Sequence, residues 1–137
     1  MRADWHEGGK NMTIKEVCEK YGISADTLRY YERVGVIPEV NRTKGGIRNY
    51  SEEDIKWVEN AICMRNAGVP VEMLIDYVRL FREGNATLQA RCDLLVEARQ
   101  AIQEQMDKLQ ETADFLDYKI SRYDEALKTG ILRWDEQ

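Results

Sequence analysis

With 137 residues, 33% of them charged and only two prolines, the chain has room for one small domain, or one with an extension, and fits an all-helical soluble protein. No apolar run approaches the ~18 residues needed to cross a bilayer, and Cys18, Cys63 and Cys92 lack CxxC spacing; a membrane span, a disulfide scaffold and a structural zinc site are therefore excluded, and reduced thiols in the cytoplasm are expected. The net charge of −5 is uneven: residues 13–50 carry seven Lys/Arg against five Asp/Glu, and residues 51–137 eleven against eighteen, so a mildly basic N-terminal third compatible with phosphate contact sits on an acidic body.

Residues 1–11 show no periodicity and hold the only histidine, His6. They read as a flexible tail with Met12 as a candidate natural start, and one histidine there makes no metal site. The folded part begins at Thr13-Ile-Lys-Glu16, a capping box opening a helix with Ile14, Val17, Cys18 and Tyr21 on one face and a stop at Gly22. Ser24 caps a second helix, Ala25 to about Val34, ended by Gly35. Two short helices joined by Tyr21-Gly-Ile-Ser24 make a helix-turn-helix. Its second helix presents Asp26, Thr27, Arg29, Tyr30 and Arg33 around a small apolar face. Ile37-Pro38 breaks that helix. Val40 to Tyr50, with the turn signal Lys44-Gly-Gly46, predicts a two-stranded hairpin bearing Arg42, Lys44 and Arg48. A basic hairpin after a helix-turn-helix is a wing able to grip phosphates, and Tyr50 follows it as an amphipathic anchor.

Ser51-Glu-Glu-Asp54 is a second capping box. It opens a helix to Ala67 with Ile55, Val58 and Ile62 at its apolar centre and Gly68 as its stop. Pro70 starts the next helix, Val71 to about Glu83, with Met73, Leu74, Tyr77, Val78 and Phe81 inward. These segments divide the chain into a tail (1–11), a winged helix-turn-helix unit with a second helix pair at 51–83 (12–83), a long helix (84–130) and a short C-terminal tail (131–137). From Thr87 to about Lys128, Leu88, Cys92, Leu95, Arg99, Ile102, Met106, Leu109, Ala113, Leu116, Ile120, Tyr123 and Leu127 recur in unbroken 4-3 alternation. A helix of roughly 63 Å with that seam exceeds what so small a chain can cover, so it reads as a coiled-coil dimerisation element. The competing reading is an amphipathic helix lying on its own domain.

The segment Thr27-Leu-Arg-Tyr-Tyr-Glu-Arg-Val-Gly-Val-Ile-Pro38, followed by Arg48-Asn-Tyr50, resembles the signature of the MerR family of bacterial transcription regulators. The resemblance extends over about residues 12–128. It implies a mainly α fold: a winged helix-turn-helix DNA-binding domain followed by a long antiparallel coiled-coil helix in a homodimer. It also implies a pseudo-palindromic double-stranded operator in an overlong promoter spacer, distorted so that RNA polymerase meets both promoter elements on one side. Two-fold symmetry would set two recognition helices about 34 Å apart, and bending such a site costs on the order of 1–6 kcal/mol. Carried onto this sequence, Thr27, Arg29 and Tyr30 would face the major groove or its flanking phosphates. Arg33, Arg42, Lys44, Arg48 and Tyr50 would make backbone and wing contacts, while Tyr31, beside Leu28, would be core.

Metal sensors similar to this family carry cysteines at the start of the long helix and in a loop after it. Here Cys92 lies inside the helix and Gly130–Gln137 holds neither Cys nor His, so neither a metal nor any other cofactor is expected. Closely spaced cysteines for an iron–sulfur cluster are absent, and there is no room for a separate ligand domain. Cys18 and Cys92 read as small apolar residues. Cys63 projects among Lys56, Glu59, Asn60 and Ala67, off the apolar stripe, with Arg65 nearby, although the adjacent helix C-terminus disfavours a thiolate. Cys63-Met-Arg-Asn-Ala-Gly68 resembles the AdhR/NmlR-type branch of aldehyde-responsive regulators, which implies Cys63 as the sensor. Two alternatives stay open: a regulator with a noncovalent ligand or none, Cys63 being structural, and a coiled-coil adaptor that has lost DNA recognition. An enzyme is not expected, because the folded part offers no histidine, phosphate loop or nucleophile–base pair.

Overall fold

The structure, a computed structural model, describes residues 11–134. Nearly all of the proposed flexible tail therefore lies outside the described residues, as do the last three residues of the C-terminal one. The fold is mainly α: α1 (Ile14–Tyr21), α2 (Ala25–Val34), α3 (Glu52–Asn66), α4 (Val71–Glu83), a 3-10 turn (Asn85–Thr87) and α5 (Leu88–Thr129). The helix starts follow from local capping. Thr13 and Glu16 satisfy each other's backbone N–H groups, as do Ser51 and Asp54, and Ser24 Oγ accepts from Thr27 N–H; each such cap contributes about 1 kcal/mol. At the end of α2, Gly35 takes φ 91°, where a Cβ would be strained. This lets the N–H groups of Gly35, Val36 and Ile37 all converge on the Tyr31 carbonyl, turning Val36 and Ile37 inward.

One compact unit reaches Leu95 and a second begins at Val96. The core of the first is built from Val17 of α1, Leu28 and Tyr31 of α2, Val36, Ile37, Val40 and Tyr50 of the connecting segment, Ile55, Val58 and Ala61 of α3, and Leu74 and Val78 of α4. Burying each large aliphatic side chain stabilises by about 1.5–3 kcal/mol, so the two helix pairs hold one another. Thr87 fastens the beginning of α5: its hydroxyl bonds to the carbonyls of Leu80 and Gly84 and accepts from Arg91 Nε.

Three expectations need correction. The wing is not a two-stranded ladder: among the described residues there are only two isolated antiparallel bridges, Arg42 with Arg48 and Met12 with Tyr50. Carboxylates take the N–H groups a ladder would have used, Glu32 accepting from Val40 and Asp54 from Asn41. Tyr50 is fully buried and offers no surface to a phosphate. Its backbone is paired in both directions with Met12, which turns the ring into the core. Glu59, projected onto the polar face around Cys63, is also buried, because Tyr21 at the end of α1 covers it and donates to it.

In the second unit, α5 carries Met106, Leu109, Leu116, Ile120 and Tyr123 exposed. The segment after Gly130 doubles back. Trp134 packs 5.9 Å from the Tyr123 ring and 6.4 Å from the Tyr118 ring, and Arg122 Nε donates to the Arg133 carbonyl. That aromatic clasp was not expected of a plain tail.

Candidate nucleic-acid interface

Helix α2 is amphipathic in a way that sorts its side chains. Leu28 and Tyr31 point into the core, which leaves Arg29, Tyr30 and Arg33 on the outer surface. Thr27 is half-buried at the first turn, its hydroxyl 2.8 Å from that of Ser24. Arg29 pairs with exposed Asp26 at 3.1 Å, a surface interaction worth at most about 1 kcal/mol and easily exchanged for a phosphate. Arg33 lies over the Tyr30 ring, 5.4 Å from its centroid, so the two present one flat cationic surface. The second polar cluster is the wing. Thr43 N–H donates to the Ile47 carbonyl, Gly46 N–H to the Thr43 carbonyl, and Arg42 closes the loop by donating to the Gly46 carbonyl. Lys44 stands at the tip, exposed and without an ion pair among the described residues.

Recognition helix and wing meet at Glu32, a residue the sequence reading left unassigned. Its side chain is only 8% exposed; Oε1 accepts from Arg48 Nε at 2.7 Å and lies 3.9 Å from an Arg42 nitrogen, while Oε2 accepts from Val40 N–H at 2.9 Å. A second carboxylate, Asp54, accepts from the backbone and side-chain amides of Asn41 and from Ser51 N–H. A signal was available, since Glu32 follows Leu28 by four residues and so lies on the inward half of α2, where a carboxylate needs a partner. Of the residues assigned to DNA, Arg29, Tyr30, Arg33, Arg42 and Lys44 are thus exposed, Thr27 and Arg48 are partly covered, and Tyr50 is not available.

The family model described as MerR HTH family regulatory protein matches residues 12–80, from Met12 through most of α4. The chain belongs to the MerR family. It is therefore a regulatory protein and not an enzyme. The HTH-type transcriptional regulator AdhR of Bacillus subtilis (strain 168) is 54% identical over 91 residues, covering 66% of this MerR-family chain and 65% of AdhR, so the chain spans less than two thirds of that relative. A MerR family transcriptional regulator from Listeria monocytogenes superposes with a TM-score of 0.83 at 47% identity, covering 87% of this chain and 90% of that one. HiNmlR, a MerR family regulator lacking the sensor domain and solved bound to promoter DNA, superposes with a TM-score of 0.76 at 29% identity, over 89% and 97% of the two chains.

The three thiols differ in environment. Cys18 is partly buried, whereas Cys63 on α3 and Cys92 on α5 are exposed, and none is in a disulfide. Near Cys63, Arg65 is engaged with the Val69 carbonyl at the helix end. The next faces of α3 and α4 enclose an open groove of about 530 Å³ lined by Glu52, Glu53, Lys56, Trp57, Tyr77 and Phe81. Trp57 anchors it, with Phe81 edge-on at 5.0 Å. Among the described residues no three His, Cys, Asp or Glu side chains converge as a metal site, and no helix is long and apolar enough to cross a membrane.

Proposed function

We propose that this MerR-family chain is a homodimeric, cytoplasmic transcription activator. It binds a pseudo-palindromic operator in an overlong promoter spacer, distorts that DNA for RNA polymerase, and responds to aldehydes or related electrophiles through Cys63. The observation that carries the DNA reading is the continuous cationic surface of Arg29, Arg33, Arg42 and Lys44 across recognition helix and wing. The similarity to HiNmlR, solved on promoter DNA, supports it. Phosphate contacts from such a surface give affinity and register, and base-edge contacts from the start of α2 give specificity. The exposed 4-3 face of α5, with Leu88, Leu95, Ile102, Met106, Leu109, Leu116, Ile120 and Tyr123, supports dimerisation, since so many exposed apolar side chains in one row favour a partner helix.

Cys63 is accessible and lies on α3, whose Asp54 and Glu59 touch the wing and α1. Its sulfur would add to a carbonyl carbon; the C–S bond forms as the carbonyl π bond opens, and the thiol proton ends on oxygen. An adduct on α3 would be felt at both DNA-contacting elements. The test is protection of the DNA upstream of the gene from nuclease, with and without aldehyde, followed by transcription from that template. Protection of two symmetric half-sites, with aldehyde-dependent transcription lost in Cys63→Ser, is the expected result. Absence of protection would overturn the DNA reading. Full aldehyde response in Cys63→Ser would overturn the sensor.

A further inference from the structure

We propose that Glu32 is a positioning residue for DNA binding: its buried carboxylate clamps the wing to the recognition helix, holding Arg48 as an internal strut and presenting Arg42 and Lys44 to phosphate. The inference rests on the DNA-binding reading above and adds a division of labour within the cationic surface. Arg48 is only 22% exposed and its Nε is bound to Glu32 at 2.7 Å, whereas Arg42 is 45% exposed and 3.9 Å from the same oxygen. At that distance Arg42 has no tight hydrogen bond to Glu32 to give up. It is anchored instead by its donation to the Gly46 carbonyl, which keeps its head over the loop that carries Lys44. The other oxygen of Glu32 takes the Val40 N–H where the chain leaves the core. One side chain on α2 thereby holds the start of the wing by backbone and its end by Arg48. The distance between the groove-facing helix and the phosphate-facing loop is set by one carboxylate, with Asp54 securing Asn41 from the other side.

Glutamine cannot replace it. Whichever way the amide turns, its NH₂ faces a donor, either Arg48 Nε or Val40 N–H, so one end of the wing is released. The test uses the full chain and a fluorescent duplex carrying the DNA upstream of its own gene, with affinity measured over a series of salt concentrations for wild type, Glu32→Gln, the wing double variant Arg42→Ala/Lys44→Ala, and the triple combination. Trypsin cleavage after Arg42 and Lys44 is followed in parallel, without DNA, at a temperature where circular dichroism gives equal helix content for wild type and Glu32→Gln. Glu32→Gln is expected to weaken binding on the order of tenfold and to lower the salt slope by about two per dimer, as loss of wing phosphate contacts requires. It should add almost nothing in the wing double variant, and cleavage in the wing should accelerate. Tighter binding with a steeper salt slope would mean that Glu32 merely masks the arginines, and would overturn the proposal. An equal loss in the wing double variant would reduce Glu32 to a general structural role and overturn it too, as would unchanged cleavage. If the wild-type chain itself does not bind the duplex, the DNA reading falls, while the trypsin result still decides whether the clamp exists.

Discussion

The hydroxyl of Tyr21 donates a 2.6 Å hydrogen bond to Glu59 Oε2, joining the last residue of α1 to the middle of α3 across 38 positions of sequence. The other oxygen of Glu59 is buried with no hydrogen-bond partner among the described residues. A buried carboxylate with a single strong donor depends heavily on it. Tyr21→Phe should therefore destabilise the chain by about 2 kcal/mol, the range for a hydrogen bond to a charged group. Glu59→Gln in that background should recover part of the loss, because the uncompensated charge is gone. Urea unfolding followed by circular dichroism measures both; a neutral Tyr21→Phe change would show that the bond contributes nothing.

Tyr50 gives a pH prediction. Burial pushes its hydroxyl from 10.0 up to about 12, with Arg48 pulling weakly the other way and Glu32, Cys18 and Asp54 adding to the rise. Below pH 10 the phenol is neutral whether the chain is folded or not. Between pH 10 and about 12 it ionises only in the unfolded chain, so stability present below that window is lost as pH rises through it, on the order of 2–3 kcal/mol in all. Tyr50→Phe should remove this share of the alkaline loss. It should also leave the chain as stable at neutral pH or more so, since the hydroxyl has no partner to lose. Denaturation midpoints of the two chains from neutral to alkaline pH check this, and parallel curves would refute it.

The exposed seam of α5 should be sensitive to a single charge. Leu109→Asp or Leu116→Asp places a carboxylate in the proposed helix pair, where desolvation costs several kcal/mol. Sedimentation should then show a monomer, and specific DNA binding should disappear with the dimer. A monomeric variant that still protected both operator halves would break the link between the helix and operator symmetry.

Thiol reactivity should rank by exposure. Under native conditions iodoacetamide is expected to modify Cys63 and Cys92 before the partly buried Cys18, as read by peptide mass. Only Cys63→Ser, and not Cys92→Ser, should abolish the aldehyde response. The reverse pattern would move the sensor onto α5.

How much of this was legible beforehand depends on how far each side chain's partner lies along the chain. The helix starts, the turn at Gly35 and the 4-3 row on α5 could be read from the amino-acid sequence, because each depends on groups within about four residues. Thr13 with Glu16 and Ser51 with Asp54 are examples, and both boxes form. The outward positions of Arg29 and Arg33 followed from the same periodicity. Which polar groups turn inward could be settled only by the tertiary structure. Glu32 meets Arg48 across 16 residues, Asp54 meets Asn41 across 13, and Tyr21 meets Glu59 across 38. Helical projection assigns a carboxylate to a face but says nothing of what packs against that face. The wing therefore looked like a freestanding hairpin, Tyr50 like a surface anchor and Glu59 like a solvated charge. Each instead satisfies the demand that a closed core makes on its borders, where buried polar groups need partners and an aromatic ring gains more from burial than from water.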